Sequence, residues 1–237
     1  MIRILLLEIA VPMIILLTAT VFFSVTDADL TIATLFYSTT GGWFLEDVWL
    51  LGFLHSYGGA PALLVSIAAA CYLLCGFFLK RPLQHGKAAL YFVLVFGIGA
   101  GLVVNIVFKD NWGRPRPSQV ERFGGPRQFL SVWEKQDCRE CKSFPCGDAS
   151  HGFVFLSLFF LLKKSSRRWA LLSAFSGLGY GTLLGLCRMA RGAHFASDVI
   201  WSAGFMYLVS VMLFYTLRMH IHSRTSSLQG SAPPVSA

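Results

Sequence analysis

The chain has 237 residues, of which 55% are hydrophobic and only 14% charged, with a formal net charge of +8 and a mean hydropathy of +0.61. Soluble globular domains carry about 25% charged residues, so this chain lacks the polar surface of a water-soluble body. The same numbers exclude a disordered tail protein, a DNA-binding domain and a disulfide-stapled scaffold. In so apolar a chain, the excess of Lys and Arg points to anionic lipid and not to nucleic acid.

Hydropathy predicts an all-α polytopic membrane protein with six transmembrane helices, each near the roughly 20 residues that cross a bilayer. In chain order they are Ile4–Ser24, Pro61–Leu79, Ala88–Phe108, a short one at Ala149–Leu162, Trp169–Cys187 and Val199–Leu217. The first contains Glu8 and Pro12. No small-residue cleavage site follows a short apolar core, so it reads as a span and not a signal peptide. Residues 1–60 are then a first span with an outer loop, residues 61–217 a helical core, and residues 218–237 a tail rich in Ser, Pro and Gly from Ser223 on. Such a tail is expected to be disordered.

Charges at the span ends set the expected orientation. Lys80-Arg81 and the run Lys163-Lys-Ser-Ser-Arg-Arg168 fall on one side together with both termini, and that side has no Asp or Glu in its loops. This side is the expected cytoplasmic face. The loops at 25–60, 109–148 and 188–198 then face outward.

Three polar stretches stand at that outer edge. They are Lys109-Asp-Asn-Trp-Gly-Arg-Pro-Arg116-Pro117, Ser143-Phe-Pro-Cys146-Gly147-Asp148-Ala-Ser-His151-Gly152, and Cys187-Arg188-Met-Ala-Arg-Gly-Ala-His194-Phe-Ala-Ser-Asp198. Any one cation here, taken alone, is an interfacial anchor. Together on one face, such ionisable groups mark function. Lys109, Arg116 and Arg188 form a phosphate cradle, since guanidinium forks match phosphate oxygens. Cys146 and Gly147 lie at a helix entry, whose free N–H groups also favour an anion. Asp198, one turn after His194, is expected to accept from one imidazole nitrogen and leave the other free as a nucleophile.

The pattern resembles the type 2 phosphatidic acid phosphatase superfamily, which includes bacterial lipid phosphatases and vanadium haloperoxidases. The matching residues are Lys109, six residues, Arg116-Pro117, and then Arg188, five residues, His194, three residues, Asp198. The resemblance covers roughly residues 60–217. It implies a core bundle of that kind, phosphate binding by Lys109, Arg116 and Arg188, attack by His194 to give a phosphohistidine, orientation of His194 by Asp198, and neither metal nor cofactor. The middle motif departs, because Pro145-Cys146-Gly147-Asp148 stands where the family has Pro-Ser-Gly-His. The leaving-group proton is then assigned to Asp148 or to His151, which share a helix face. The Gly-Asp-Ala-Ser-x-Gly-Phe run with upstream cysteines resembles some bacterial inner-membrane lipid A phosphatases.

The expected partner is a phosphorylated membrane lipid in the bilayer, with no nucleic acid; the oligomeric state is not legible. Candidate substrates are lipid A, phosphatidylglycerophosphate, phosphatidic acid and undecaprenyl pyrophosphate. The expected place is the bacterial inner membrane, with the site periplasmic. Two other readings share these residues: a lipid phosphotransferase, and a non-catalytic lipid-phosphate binder with a decayed site. Phe123–Phe129 and Trp133 are expected to touch acyl chains or to lid the site. Cys71 and Cys75 are expected as apolar packing, while Cys138, Cys141, Cys146 and Cys187 lie where disulfides are allowed.

Overall fold

A computed structural model describes residues 2–219; the tail expected from Ser223 lies outside them. Among the described residues, five helices are long and apolar enough to cross a membrane. The helices are α1 (Ile2–Val25), α2 (Ala28–Thr34), α3 (Trp49–Tyr57), α4 (Ala60–Phe78), α5 (Gly86–Lys109), α6 (Gly147–Leu162), α7 (Arg167–Ala190) and α8 (Ala196–Thr216). A two-stranded hairpin, β1 (Tyr37–Ser38) and β2 (Gly42–Trp43), follows α2.

The all-α expectation holds, with two adjustments to the spans. The second span is longer than the sequence implies, because α3 and α4 together run from Trp49 to Phe78. Hydropathy places residues 25–60 in an outer loop since His55 and Gly58-Gly59 interrupt the apolar run. The backbone nonetheless continues helical on both sides of that glycine pair, with Pro61 in the first turn of α4, where its missing N–H costs nothing. The fourth expected span is α6, which is shorter than the others and at 1.5 Å per residue reaches roughly 24 Å. Its first turn is committed to the polar edge described below.

The helices pack through small residues, as helices in lipid do. A side chain at Gly152 of α6 would meet the backbone of α7 at Tyr180, 2.9 Å away. Gly185 of α7 admits Val199 of α8, and Gly204 of α8 admits Leu16 of α1. Between these contacts lies a core that includes Tyr91, Phe92, Val104, Phe153, Phe160 and Met206. Tyr91 is fully buried, and its hydroxyl donates to the Ser210 carbonyl at 3.0 Å. At the opposite end from the polar edge, Lys163 pairs with Glu8 at 2.7 Å, and Tyr215 donates to the other Glu8 oxygen at 3.0 Å. The acid that interrupts the first span thus ties α1 to the bundle. Cys71 and Cys75 are exposed on α4 and do not pack in the core as expected. They sit on a helix whose outward face, with Leu64, Leu74 and Phe77, is apolar throughout.

The second half of α5, Val95–Lys109, is wound as a π-helix. Asn105 Nδ2 donates five residues back to the Ala100 carbonyl at 2.7 Å. Long π stretches are rare and concentrate at functional sites; this one delivers Lys109.

Gly152→Val is expected to cost about 1–3 kcal/mol, because the backbone of α7 cannot yield to the added methyl groups. Thermal unfolding in detergent measures it; an unchanged melting temperature would show that the α6–α7 contact is not close.

Candidate active site

The three polar stretches meet at one end of the bundle. The turn after α7 explains how His194 gets there. Gly192 has φ +65°, which glycine adopts without strain, and Ala193 N donates back to the Arg188 carbonyl at 3.0 Å. This closes α7 and reverses the chain against Trp43, which occupies the space a side chain at Gly192 would need. Asp198 in the first turn of α8 accepts from the backbone N–H of Phe195 at 2.8 Å, a cap of the new helix.

His194 is 1% exposed. Its Nδ1 faces the backbone carbonyl of Ser143 at 2.5 Å. A carbonyl oxygen only accepts, so the proton sits on Nδ1 and Nε2 keeps its lone pair. Burial pushes the imidazole below its ordinary pKa, against the pull of Asp198. The ring is therefore neutral near pH 7. The expected direct bond from His194 to Asp198 is not formed, since Oδ2 lies 3.7 Å from Nδ1, beyond hydrogen-bonding distance. Asp198 instead accepts from Ser143 Oγ at 2.6 Å. It holds the residue whose carbonyl holds the imidazole.

Behind this pair lies Arg114, which is completely buried and which the sequence reading passed over in favour of Arg116. It reaches Asp198 at 2.5 Å and Asp29 of α2 at 2.8 Å. It also donates to Ser197 Oγ at 2.8 Å and to the Leu130 carbonyl at 3.0 Å. The Phe195 ring stacks on its guanidinium at 4.7 Å. Burial works against the charge, but Asp198 and Asp29 outweigh it and raise Arg114 above the usual guanidinium value. Of Phe123 and Phe129, expected to touch acyl chains or to lid the site, Phe129 lies over this guanidinium at 5.6 Å and neither is a lipid contact. Phe123 is buried with Leu30, Val120 and Phe195, and Phe129 packs on Phe195. Trp133 is exposed.

The remaining cations gather on the other side of His194. Lys109 feels the charges of Asp148, Arg116 and Arg188, and His194 those of Lys109 and Arg188. Arg116 is pulled below the usual guanidinium value by burial and then by Arg188. The Nε atoms of Arg116 and Arg188 are buried and donate no hydrogen bond. Arg188 Nε lies 3.0 Å from Asp148 Oδ2, off hydrogen-bonding geometry. Gly147 opens α6 with nothing on its Cα, and Lys109 Nζ and Asn105 Oδ1 stand 3.0 Å and 2.7 Å from where a Cβ would be. Any other residue there would push the ammonium away.

Cys146 is buried, and burial drives its thiol up to about 12, so it remains S–H and is no nucleophile. Its carbonyl accepts from Ser202 Oγ at 2.9 Å. Cys187 is also free and donates to the Leu51 carbonyl at 3.2 Å. A bridge between these two, which the sequence allowed, is not formed; the disulfide joins Cys138 and Cys141. His151 stacks on Phe96 at 5.6 Å.

A family model described as the PAP2 superfamily matches residues 88–221. The chain belongs to this superfamily. It is a multi-span membrane lipid phosphatase of the PAP2 type, a hydrolase of phosphoric monoesters. It is 37% identical over 192 residues to the lipid A 4'-phosphatase of Francisella tularensis subsp. novicida, which covers 80% of this chain and 85% of that one. It is 33% identical over 144 residues to the lipid A 4'-phosphatase of Rhizobium etli, covering 59% of this chain and 52% of that one. The Rhizobium leguminosarum protein of the same name is 33% identical over 127 residues, with 52% and 53% covered. No solved structure matches the chain at a comparable level.

Arg114 is the buried site residue that spacing alone does not single out. Its signal was present, one dipeptide before Arg116 in Arg-Pro-Arg-Pro, but Asp29 carries no motif at all, and Ser143 was only the first residue of the middle stretch. Arg114→Met is expected to lower stability by about 3–5 kcal/mol, because it leaves two buried carboxylates without their cation. Arg114→Lys is expected to rescue little, since one ammonium cannot reach both in fork geometry. Melting temperatures of the three proteins in detergent check this.

Proposed function

We propose that the protein removes a phosphate monoester from a lipid A-type glycolipid, through a phosphohistidine on His194 with the phosphate held by Lys109, Arg116 and Arg188. The observation that carries this reading is that the buried guanidinium Nε–H groups of Arg116 and Arg188 donate no hydrogen bond, the Asp148 oxygen 3.0 Å from that of Arg188 standing off hydrogen-bonding geometry. A buried donor left unmatched costs about 1–3 kcal/mol, and a phosphate oxygen is the acceptor that guanidinium groups fit. Gly147 and Cys146 line the same edge, where the first N–H groups of α6 favour an anion.

The chemistry follows from the tautomer. Nε2 of His194 attacks phosphorus as the ester oxygen leaves in line, and the three cations balance charge on the equatorial oxygens. Water then cleaves the P–N bond. Asp198 and Arg114 act behind the ring, by fixing Ser143. Asp148 and His151, the two sequence candidates for the leaving-group proton, both belong to the first turns of α6.

The names of the three relatives support a lipid A-type substrate, and the position of the site at span ends supports a head group at the membrane surface. We place both termini in the cytoplasm and the site on the periplasmic side. The basic clusters at Lys80–Arg81 and Lys163–Arg168 favour that orientation. A disulfide in the loop before α6 also suits an oxidising compartment. In this reading the catalytic core is residues 61–217, with Asp29 lent by the segment before it.

His194→Ala is expected to cut phosphate release from lipid A by about 10³-fold or more while the protein still inserts and melts normally. Retained turnover would remove the mechanism. Radiolabelled lipid A should also leave an acid-labile label on the wild-type protein. In a pH series, the acid limb of kcat/KM is expected below about 6.5, the ordinary imidazole value, because burial keeps His194 unprotonated to lower pH. An acid limb above that value would contradict the assigned tautomer.

A further inference from the structure

We infer that His55, on α3, is the general acid that protonates the leaving oxygen, held at the site by Asp148; this rests on the phosphohistidine reading above. His55 Nδ1 lies 3.0 Å from Asp148 Oδ2, and the same oxygen lies 3.0 Å from Arg188 Nε. An oxygen that meets an imidazole nitrogen at hydrogen-bonding distance and a guanidinium charge at 3.0 Å is held as a carboxylate, so this edge of Asp148 has no proton to give. The residue standing where the family has its acid is therefore a support. The contact links three side chains in a row, from a phosphate-binding guanidinium through a carboxylate to an imidazole. His194 acts electrostatically on the same carboxylate.

The imidazole in this row is well fitted to the task. Its Nδ1 is engaged, which leaves the Nε2 edge for the leaving group. His55 is 41% exposed, so the attacking water of the second half can reach it, whereas His194 is buried. Imidazole is also the side chain that exchanges protons near neutral pH. The helix beneath it is anchored on both sides: the Leu51 carbonyl accepts from Cys187 at 3.2 Å, and the Gly58 carbonyl accepts from Tyr180 at 2.7 Å. His151 has no such tie. Its ring lies on Phe96 and against Gly59, and it forms no hydrogen bond among the described residues.

The step balances without another reactant. As the His194 Nε2–P bond forms, the P–O ester bond breaks and its electron pair stays on the leaving oxygen, which takes the proton from His55. In the second half, neutral His55 accepts a proton from water as the new O–P bond forms and the P–N bond breaks. Phosphate leaves, and both histidines return to their starting states.

Leaving-group dependence tests this in the full-length protein in detergent. Lipid A and phosphatidic acid release alkoxides that need protonation, whereas p-nitrophenyl phosphate releases a stable phenolate. His55→Gln, which keeps a partner for Asp148, and His55→Ala are each expected to lose about 10²–10³-fold in kcat on the lipids and less than about tenfold on p-nitrophenyl phosphate. Equal losses on both substrate types, no loss on either, or the selective loss appearing in His151→Ala instead would overturn the assignment. His194→Ala should lose both substrate types; if it does not, the phosphohistidine reading has failed, a result distinct from a failure of His55.

Discussion

One buried arginine held between two carboxylates organises this protein. Arg114 sits between Asp29 and Asp198 with no exposure to solvent. Each partner comes from a different part of the chain: the short helix after the first span, the loop after the third and the start of the last. Such a group is stable only while all its members are matched, because an unpaired charge in so dry a place costs several kcal/mol. The match is complete. Asp29 also accepts from the Ser197 backbone and hydroxyl, and Asp198 from Ser143 and the Phe195 backbone. The aromatic rings of the outer loop shut water out, which makes each of these interactions stronger.

The position of His194 is a consequence. Its tautomer is set by a main-chain carbonyl, and that carbonyl belongs to a residue gripped on two sides: Ser143 N donates to the Arg114 carbonyl at 3.0 Å and Ser143 Oγ to Asp198. A backbone acceptor cannot be protonated or rotate away, so the imidazole keeps its lone pair on Nε2. The acidic residue one turn later contributes field and support in place of direct contact. The two arginines of Arg-Pro-Arg-Pro thus divide the labour. Arg114 is neutralised inside the protein, and Arg116 faces the cation cluster with a donor to spare.

That cluster inverts the logic of the buried arginine. Lys109, Arg116 and Arg188 are gathered with the single carboxylate of Asp148, which His55 also engages. Like charges in partial burial repel, and rigid scaffolding must hold them. The scaffold is visible in the π-wound end of α5, in Gly147 standing aside for Lys109, and in the sealed end of α7. A lipid-facing exterior of Leu, Phe and Val surrounds all of this, so the charges are confined to one end of the bundle.

The class of the protein was legible in the amino-acid order. Hydropathy over about 20 residues fixes a span whatever packs beside it, because in lipid each helix satisfies its own backbone. Spacing within a turn brings His194 and Asp198 near each other, but Ser143 decides what they share. The reading fell short wherever contact between distant segments decides. Residues 49–60 looked like loop until α7 supplied hydrogen bonds to their carbonyls. Asp29 and Ser143 looked like ordinary polar residues until Arg114 required acceptors. Phe129 could have been a lipid contact or a lid until its ring was found over Arg114. His55 gave no signal, since its partner lies 93 residues away. Local sequence determines helices, their polarity and the stock of reactive groups, because those depend on near neighbours. Which carboxylate meets which cation, and which carbonyl aims the imidazole, depends on chain ends brought together by folding, and only the tertiary structure decides it.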